Sequence, residues 1–432
     1  MQESRYNVWV EDGGRTFLFN SLSGALLEVP RGTRASLARV LSDSSATGCS
    51  PALLERMAYG RMLVPDDADE LAVLAGRYRA SRDDTGHFAY TLVTSLGCNF
   101  DCGYCFEDKR PSIMSAAVQD AVVAVLEERL PALRTMSVTW FGGEPLIGKR
   151  ALLALSDRFI AACDAFDVHY DAMIVTNGSL LDEATCAALR DRRVTTAQVT
   201  LDGPPATHDR MRPVAGGRPS FERIVANLRH AVEHLDVMVR MNVDADNAGL
   251  GEELLDHLDA AGLTGRLGVY VGQIVGVDDG AGAPSSTYGT RCLTGAEFAD
   301  TELGFADAAA DRSYGALRLP QPIGAPCTAV RRNEYVVGSE GELYKCWDSV
   351  GNPREVVGSI FDEAAAAAHP RQRRWLGYDP FTDDECTSCV ALPVCMGGCA
   401  HHGLDLVQRA NRCGTTRHTL VDQVRSFART AS

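Results

Sequence analysis

Several things are missing from this sequence. No run of about 18 apolar residues occurs in the 432-residue chain, so no membrane-spanning helix is expected. The opening residues, MQESRYNVWVEDGG, carry no charged-then-apolar segment of the secretory kind, and a cytoplasmic protein is expected. Positive charge is scarce: 42 Lys and Arg stand against 57 Asp and Glu, a formal net charge of -15. Nucleic-acid binders usually present a basic face, so no nucleic-acid partner is expected. The whole chain shows no internal repeat. What is there, 45% hydrophobic and 23% charged residues, suits a water-soluble globular protein of two or three domains.

Cysteine is abundant and unevenly spread. The chain has 14, of which residues 1–85 hold only Cys49. A reducing cytosol does not sustain disulfides, so metal ligation is the default reading and the spacings must decide.

Tyr6 to Val10, a Gly13-Gly14 turn and Thr16 to Phe19 predict a β-hairpin. Helical spacing of apolar residues follows over 34–41, 51–63 and 68–79. From 88 onward strand-like runs (88–95, 138–141, 172–176, 197–201, 237–243, 267–274) alternate with helical ones (115–130, 149–166, 182–192, 218–235, 249–262). That alternation predicts βαβ units and a partial (β/α)6 barrel, with its chemistry at the C-terminal ends of the strands. A glycine-rich stretch over 276–289 predicts a mobile loop, and a helix is expected near 294–312. From about 320 the chain is cysteine-dense and loop-rich, and metal is expected to hold it together. The expected fold class is α/β: a small α+β domain over 1–85, the barrel over 86–290, and a cysteine-rich iron–sulfur domain over 291–432.

Cys98, Cys102 and Cys105 directly follow the first barrel strand at C-x3-C-x2-C spacing. Three thiolates on one loop can hold three irons of a cubane and leave the fourth without a protein ligand. That vacancy is open to a small molecule, as the open position of a catalytic zinc is. A zinc site is the alternative, but the loop offers no fourth Cys or His.

With Tyr104 as the aromatic before its last cysteine, the loop resembles the signature of the radical S-adenosylmethionine superfamily. Further motifs carry the same resemblance. Gly142, Gly143, Glu144 and Pro145 match the family's GGEP motif, and Glu144 is expected to accept from the cofactor's ammonium. Thr176, Asn177 and Gly178 resemble the ribose-side segment. Leu201-Asp202-Gly203 with His208, Asp209 and Arg212 is similar to a pattern of peptide-modifying members. Asp202, Arg240 and Asn242 are expected on the cofactor side. The resemblance implies S-adenosyl-L-methionine as cofactor and an external one-electron donor such as flavodoxin or ferredoxin. It also implies a 5′-deoxyadenosyl radical that abstracts a hydrogen atom, the protein supplying orientation and protection.

Seven cysteines near the C-terminus extend it. Cys386-x2-Cys389 alone would suit a zinc ribbon. With Cys327, Cys346, Cys395, Cys399 and Cys413 it resembles the SPASM extension of such enzymes, which implies two auxiliary [4Fe–4S] clusters and three clusters in all. The resemblance places Cys327, Cys346 and Cys399 on the first auxiliary cluster and Cys386, Cys389, Cys395 and Cys413 on the second. Residues 319–326 lack the further cysteine that relatives use, leaving either Cys292 as fourth ligand of the first cluster or an open iron. Cys49, Cys163 and Cys186 are expected to be small buried hydrophobes.

The resemblance covers about 88–420 and implies a maturase of a ribosomally made precursor peptide, giving a cross-link or an oxidised side chain. The N-terminal hairpin-and-helices unit is similar to precursor-recognition domains that bind by strand addition, or it caps the barrel. Sulfatase maturation ranks second, because Trp347 follows Cys346 where those enzymes carry their catalytic Asp, and Asp348 lies one residue later. A non-catalytic iron–sulfur electron carrier or a zinc-stabilised binding protein is the reading of another class.

Overall fold

The computed structural model describes residues 1–42, 48–276 and 284–430. The chain forms two compact units, each assembled from separated stretches.

The first unit joins Met1–Asp83, Leu317–Cys327 and Tyr378–Ser432. Strand β1 (Gln2–Glu3) pairs with β5 (Leu63–Val64). Strands β2 (Asn7–Asp12), β3 (Arg15–Asn20) and β4 (Ala25–Val29) form an antiparallel meander in that order. Gly13 and Gly14 make the expected hairpin turn at φ of 54° and 83°, conformations that a side chain resists. Helices Thr33–Ser42, Pro51–Tyr59 and Glu70–Arg82 follow as expected, the second cut short where the chain turns into β5.

Both faces of the meander are buried. Leu18, Leu27 and Val29 pack on Leu37 and Met57 of the first two helices. Val8, Val10, Phe17 and Phe19 pack on Leu420, Val424 and Ala428, the i, i+4, i+8 stripe of the helix Thr416–Thr430. This corrects the expectation that 1–85 stands as a domain of its own. Its second apolar face needs a cover, and the far end of the chain supplies it.

The second unit joins Asp84–Ala316 and Thr328–Gly377. Strands β6 (His87–Ser95), β7 (Thr135–Gly142), β8 (His169–Thr176), β9 (Val194–Thr200), β10 (Asp236–Val243) and β11 (Gly268–Gln273) run parallel. Each strand leads into a helix: Ala116–Arg129, Lys149–Ala165, Glu183–Arg190, Phe221–His234, Gly251–Ala260 and Gly295–Asp311. This is the expected (β/α)6 partial barrel. Ser115, Asp182 and Thr294 cap three of the helices.

Two expectations change here. The region after 320 does more than hang on metal: β12 (Glu334–Val337) pairs parallel to β6, and β13 (Glu342–Tyr344) and β14 (Gly358–Ser359) extend the sheet to nine strands. All four residues of β12 are buried, the charged Glu334 among them. The linear boundaries at 290 and 291 also fail, since the helix Gly295–Asp311 completes the sixth unit of the barrel. Of the stretch expected as a mobile loop, 277–283 lie outside the described residues; Pro284–Thr287 and Gly289–Arg291 form short turns. No helix among the described residues is long and apolar enough to cross a membrane.

Candidate functional site

The loop after β6 carries Cys98, Cys102 and Cys105. Phe100 N–H points at the Cys98 sulfur at 3.4 Å, and Cys105 N–H donates to the Cys102 carbonyl at 3.3 Å. The loop is pinned from outside by Asp101 N–H to Pro213 O (2.9 Å), Ala215 N–H to Asn99 O (2.9 Å) and Lys109 Nζ to Phe100 O (2.7 Å). Burial pushes the Cys98 thiol up to about 11 and the Cys105 thiol up to about 12. Ionised ligands there need a strong cation to offset that cost.

Gly142 and Gly143, at the end of β7, exist for this loop. A Cβ on Gly142 would lie 2.3 Å from Ser95 O, and one on Gly143 2.6 Å from Gly97 O. Gly143 N–H and Glu144 N–H donate to Ser95 O and Gly97 O at 3.1 and 3.0 Å. Pro145 O accepts from Thr94 Oγ1 at 2.9 Å.

Glu144 is fully buried. Its carboxylate accepts from Thr176 Oγ1 (2.8 and 2.9 Å), Asn177 N–H (2.8 Å) and Leu146 N–H (3.0 Å). Burial pushes its ionisation upward, and those donors hold it back. These three donors give Glu144 a structural role as well, on a carboxylate that can accept about four hydrogen bonds. Glu144 fastens the end of β7 to the end of β8. From there Asn177 Nδ2 donates to Asn99 Oδ1 at 2.8 Å, and Asn99 lies between two of the cysteines.

On the other side Tyr104 is the hub. Its hydroxyl donates to Asp202 Oδ2 and accepts from Arg212 Nη1 and, at 3.1 Å, from Asn242 Nδ2. Asp202, with no exposed surface, also accepts from Asn242 N–H at 2.8 Å. Burial works against the charge of Arg212, but Cys102, Tyr104 and Asp202 hold it firmly protonated. Arg240 Nε donates to Asn242 Oδ1 at 2.7 Å, and its guanidinium fills the space above Gly272, where a Cβ would come within 2.4 Å.

His208 sits behind this group. Asp202 N–H donates to its Nδ1 at 3.2 Å, which leaves Nε2 to carry the proton toward Ser220 Oγ at 3.0 Å. Burial drives its pKa well below 6.5, so it is a neutral positioning residue. Asp209 accepts from Ser220 and Phe221 N–H at 2.7 and 3.0 Å and starts the next helix.

The expected site residues around β6 to β10 are thus connected through one hydrogen-bonded frame. The sequence did not disclose Asn99, Asn247 (whose Nδ2 donates to Asp202 O and Asn242 O at 3.0 and 2.8 Å) or Tyr288, since lone polar residues in loops carry no spacing signal. Tyr288 meets the Tyr104 ring edge-on at 6.0 Å and donates to Asp244 Oδ2 at 2.5 Å. Glu107 also went unseen. It is 4% exposed, its Oε2 has no hydrogen-bond partner, and burial pushes its carboxyl up to about 8, with Asp348 and Glu144 adding to the effect. Trp347 stacks on Phe141 with ring centroids 5.7 Å apart, while Asp348 is the middle residue of the turn Trp347–Ser349.

The cysteines expected on the first auxiliary cluster are divided between the units: Cys327 and Cys399 in the first, Cys346 and Cys292 in the second. Cys292 lies beside Tyr288, its sulfur 3.9 Å from that carbonyl. Cys386, Cys389, Cys395 and Cys413 line one cavity in the first unit with Glu385, Arg412 and Arg417. Among the described residues no three His, Cys, Asp or Glu side chains converge on a single metal ion. Four thiols lining one cavity form a donor set that fits a [4Fe–4S] cluster, and a zinc ion equally. Cys163 and Cys186 are buried as expected, and Cys49 is half-buried against the helices of the first unit.

A parallel partial barrel with three cysteines on the loop after its first strand defines a class, and residues 92–261 match the family model described as Radical SAM superfamily. These residues form a radical SAM domain, and that family implies S-adenosylmethionine and a [4Fe–4S] cluster. The chain is homologous to the serine-type anaerobic sulfatase-maturating enzymes. That of Klebsiella aerogenes is 24% identical over 353 residues, covering 75% of this chain and 82% of that protein. That of Bacteroides thetaiotaomicron is 22% identical over 351 residues, covering 72% and 82%. The fold is shared with native anSMEcpe bound to AdoMet and the Cp18Cys peptide (TM-score 0.56, 17% identity, 79% of this chain and 96% of that one). It is also shared with Streptococcus suis SuiB bound to the precursor peptide SuiA (TM-score 0.55, 14% identity, 96% and 99%).

Proposed function

We propose that this enzyme is a maturase of a ribosomally made precursor peptide in the cytoplasm, using three [4Fe–4S] clusters and S-adenosylmethionine. Cys98, Cys102 and Cys105 would hold the first cluster, and the mouth around Tyr104, Asp202, Arg240 and Asn242 would hold the cofactor. When bound, the pair supplies a 5′-deoxyadenosyl radical after uptake of one electron from an external donor such as flavodoxin or ferredoxin. The chain's own work is positional. Gly142 and Gly143 let the β7 turn lie against the cysteine loop, Glu144 and Asn177 lock Asn99, and Arg212 and Asn242 hold the Tyr104 hydroxyl. Cys386, Cys389, Cys395 and Cys413 would hold one auxiliary cluster, and Cys327, Cys346 and Cys399 the other, with Cys292 or an open iron completing it. A leader peptide would add as a strand at the β2 or β4 edge of the meander, both of which lack a sheet neighbour among the described residues.

The observation that carries the choice of reaction is Trp347. The resemblance to sulfatase maturases leads to a catalytic Asp directly after Cys346, and this chain has Trp347 there, its indole stacked on Phe141. A second reading, formylglycine formation, draws support from the sulfatase-maturating relatives and would use Asp348 as base. The test is anaerobic reconstitution with iron and sulfide counting, a dithionite-driven assay for 5′-deoxyadenosine, and mass spectrometry of short precursors from neighbouring reading frames. A precursor lighter by pairs of hydrogen atoms supports the first reading. An aldehyde formed at a sulfatase Ser or Cys instead supports the second. Zinc without sulfide, or no 5′-deoxyadenosine, sinks both.

A further inference from the structure

The cavity of Cys386, Cys389, Cys395 and Cys413 has two cationic residues in its wall. Arg417 donates from Nη1 to the Cys413 sulfur at 3.2 Å. Arg412 is 6% exposed. Its Nη2 is held by Glu385 at 2.8 Å and by Asp383 at 3.1 Å, while its buried Nε has no hydrogen-bond partner. Glu385 also reaches Arg417 at 3.7 Å. A purely structural clasp does not need this arrangement. Asp383 already has Arg409 as a partner, and the Glu385 side chain is 64% exposed, so water would serve it. Burying a guanidinium is costly unless charge answers it, and four thiolates are the largest negative charge this cavity could hold.

We propose that Arg412 and Arg417 set the reduction potential of the cluster bound by Cys386, Cys389, Cys395 and Cys413, and that Glu385 tempers them. This rests on the cluster assignment proposed above. Four thiolates leave an oxidised cluster negative, and one electron from an external reductant makes it more negative without a proton. Cations against the ligand sulfurs favour that reduced state and raise the potential, as hydrogen bonds to the sulfurs do. Glu385 holds part of that positive charge, so it lowers the potential.

The test is redox potentiometry followed by electron paramagnetic resonance on the reconstituted full chain, with Cys98, Cys102 and Cys105 replaced by Ala to simplify the spectrum. R417Q is expected to move the midpoint of one cluster to more negative potential, lowering its reduced-to-oxidised ratio about tenfold at fixed potential, a shift typical of one lost charge contact. R417K should restore part of the shift and E385Q should move it the opposite way. R412Q should act like R417Q; if it fails to hold iron, R417Q alone decides, since the Arg417 side chain is 43% exposed and replaceable. Unchanged midpoints at unchanged iron and sulfide overturn the proposal. Loss of Cys386, Cys389, Cys395 and Cys413 without loss of iron and sulfide overturns the cluster assignment itself.

Discussion

The indole of Trp347 lies nearly flat on the ring of Phe141, with 17° between the planes. Phe141 directly precedes the glycines that receive the cysteine loop, while the indole keeps 46% of its surface exposed. Trp347 therefore offers an outer apolar face backed by a ring fixed to β7. Trp347→Ala should leave cofactor cleavage without peptide within about twofold and cut the yield of modified precursor at least tenfold, the scale of one lost aromatic contact. A parallel assay of 5′-deoxyadenosine and product mass checks this. Equal loss of both would place Trp347 in the cofactor site instead.

Gly143→Ala brings a methyl group to 2.6 Å from Gly97 O, which is backbone and cannot swing away. The expected result is about 1–3 kcal/mol of lost stability, as for other overpacked sites, together with loss of the iron of the first cluster. Thermal melts and iron counts on a background without the C-terminal cysteines would register both.

Glu144→Ala removes the acceptor of three buried donors, those of Thr176, Asn177 and Leu146. Hydrogen bonds to charged groups contribute about 1.5–3 kcal/mol each, and stranded donors add their desolvation cost. The variant should unfold at markedly lower denaturant than wild type, whereas Glu144→Gln should recover part of the loss. A variant as stable as wild type would show that the strand ends do not depend on this clasp.

His208 gives the pH dependence a definite sign. Its folded pKa lies well below 6.5 because it is buried, so the unfolded chain takes a proton that the folded one refuses. Its contribution is intact above about 6.5 and is lost as pH falls toward the depressed folded value. His208→Gln should flatten the acid-side decline in urea midpoints between about pH 7.5 and 5.5. A slope identical to wild type would assign that decline to other groups.

Residues 1–85 expressed alone should fail to fold cooperatively. Without the helix Thr416–Thr430, Val8, Val10, Phe17 and Phe19 lose their cover. In the full chain, Leu420→Ala should cost about 2–5 kcal/mol. A sharp thermal transition for the isolated fragment would contradict the role given to that helix.

Much of the barrel was legible in the sequence because its strands and helices alternate with clear periods, and each expected strand lies within a few residues of an observed one. The cysteine loop was legible because the spacing of Cys98, Cys102 and Cys105 is itself the signal. Three features were not. Periodicity marks Val8 and Val10 as an apolar face but cannot name Leu420, far along the sequence, as its partner. The strand Glu334–Val337 is too short to stand out beside cysteines that draw attention to loops. Glu144 carries a recognisable motif, yet the motif does not disclose that its carboxylate also accepts from Thr176 and Asn177.

The shared sheet-and-helix core of the first unit fixes an order of events during synthesis. The meander leaves the ribosome well before the helix Thr416–Thr430 that shields Phe17 and Phe19. At roughly 5–20 residues per second, those aromatic rings wait on the order of 20–80 s for their partner. The barrel can close in that interval, so a chaperone that holds the nascent meander, or early metal delivery to the barrel loop, would act before the C-terminal cysteines have emerged.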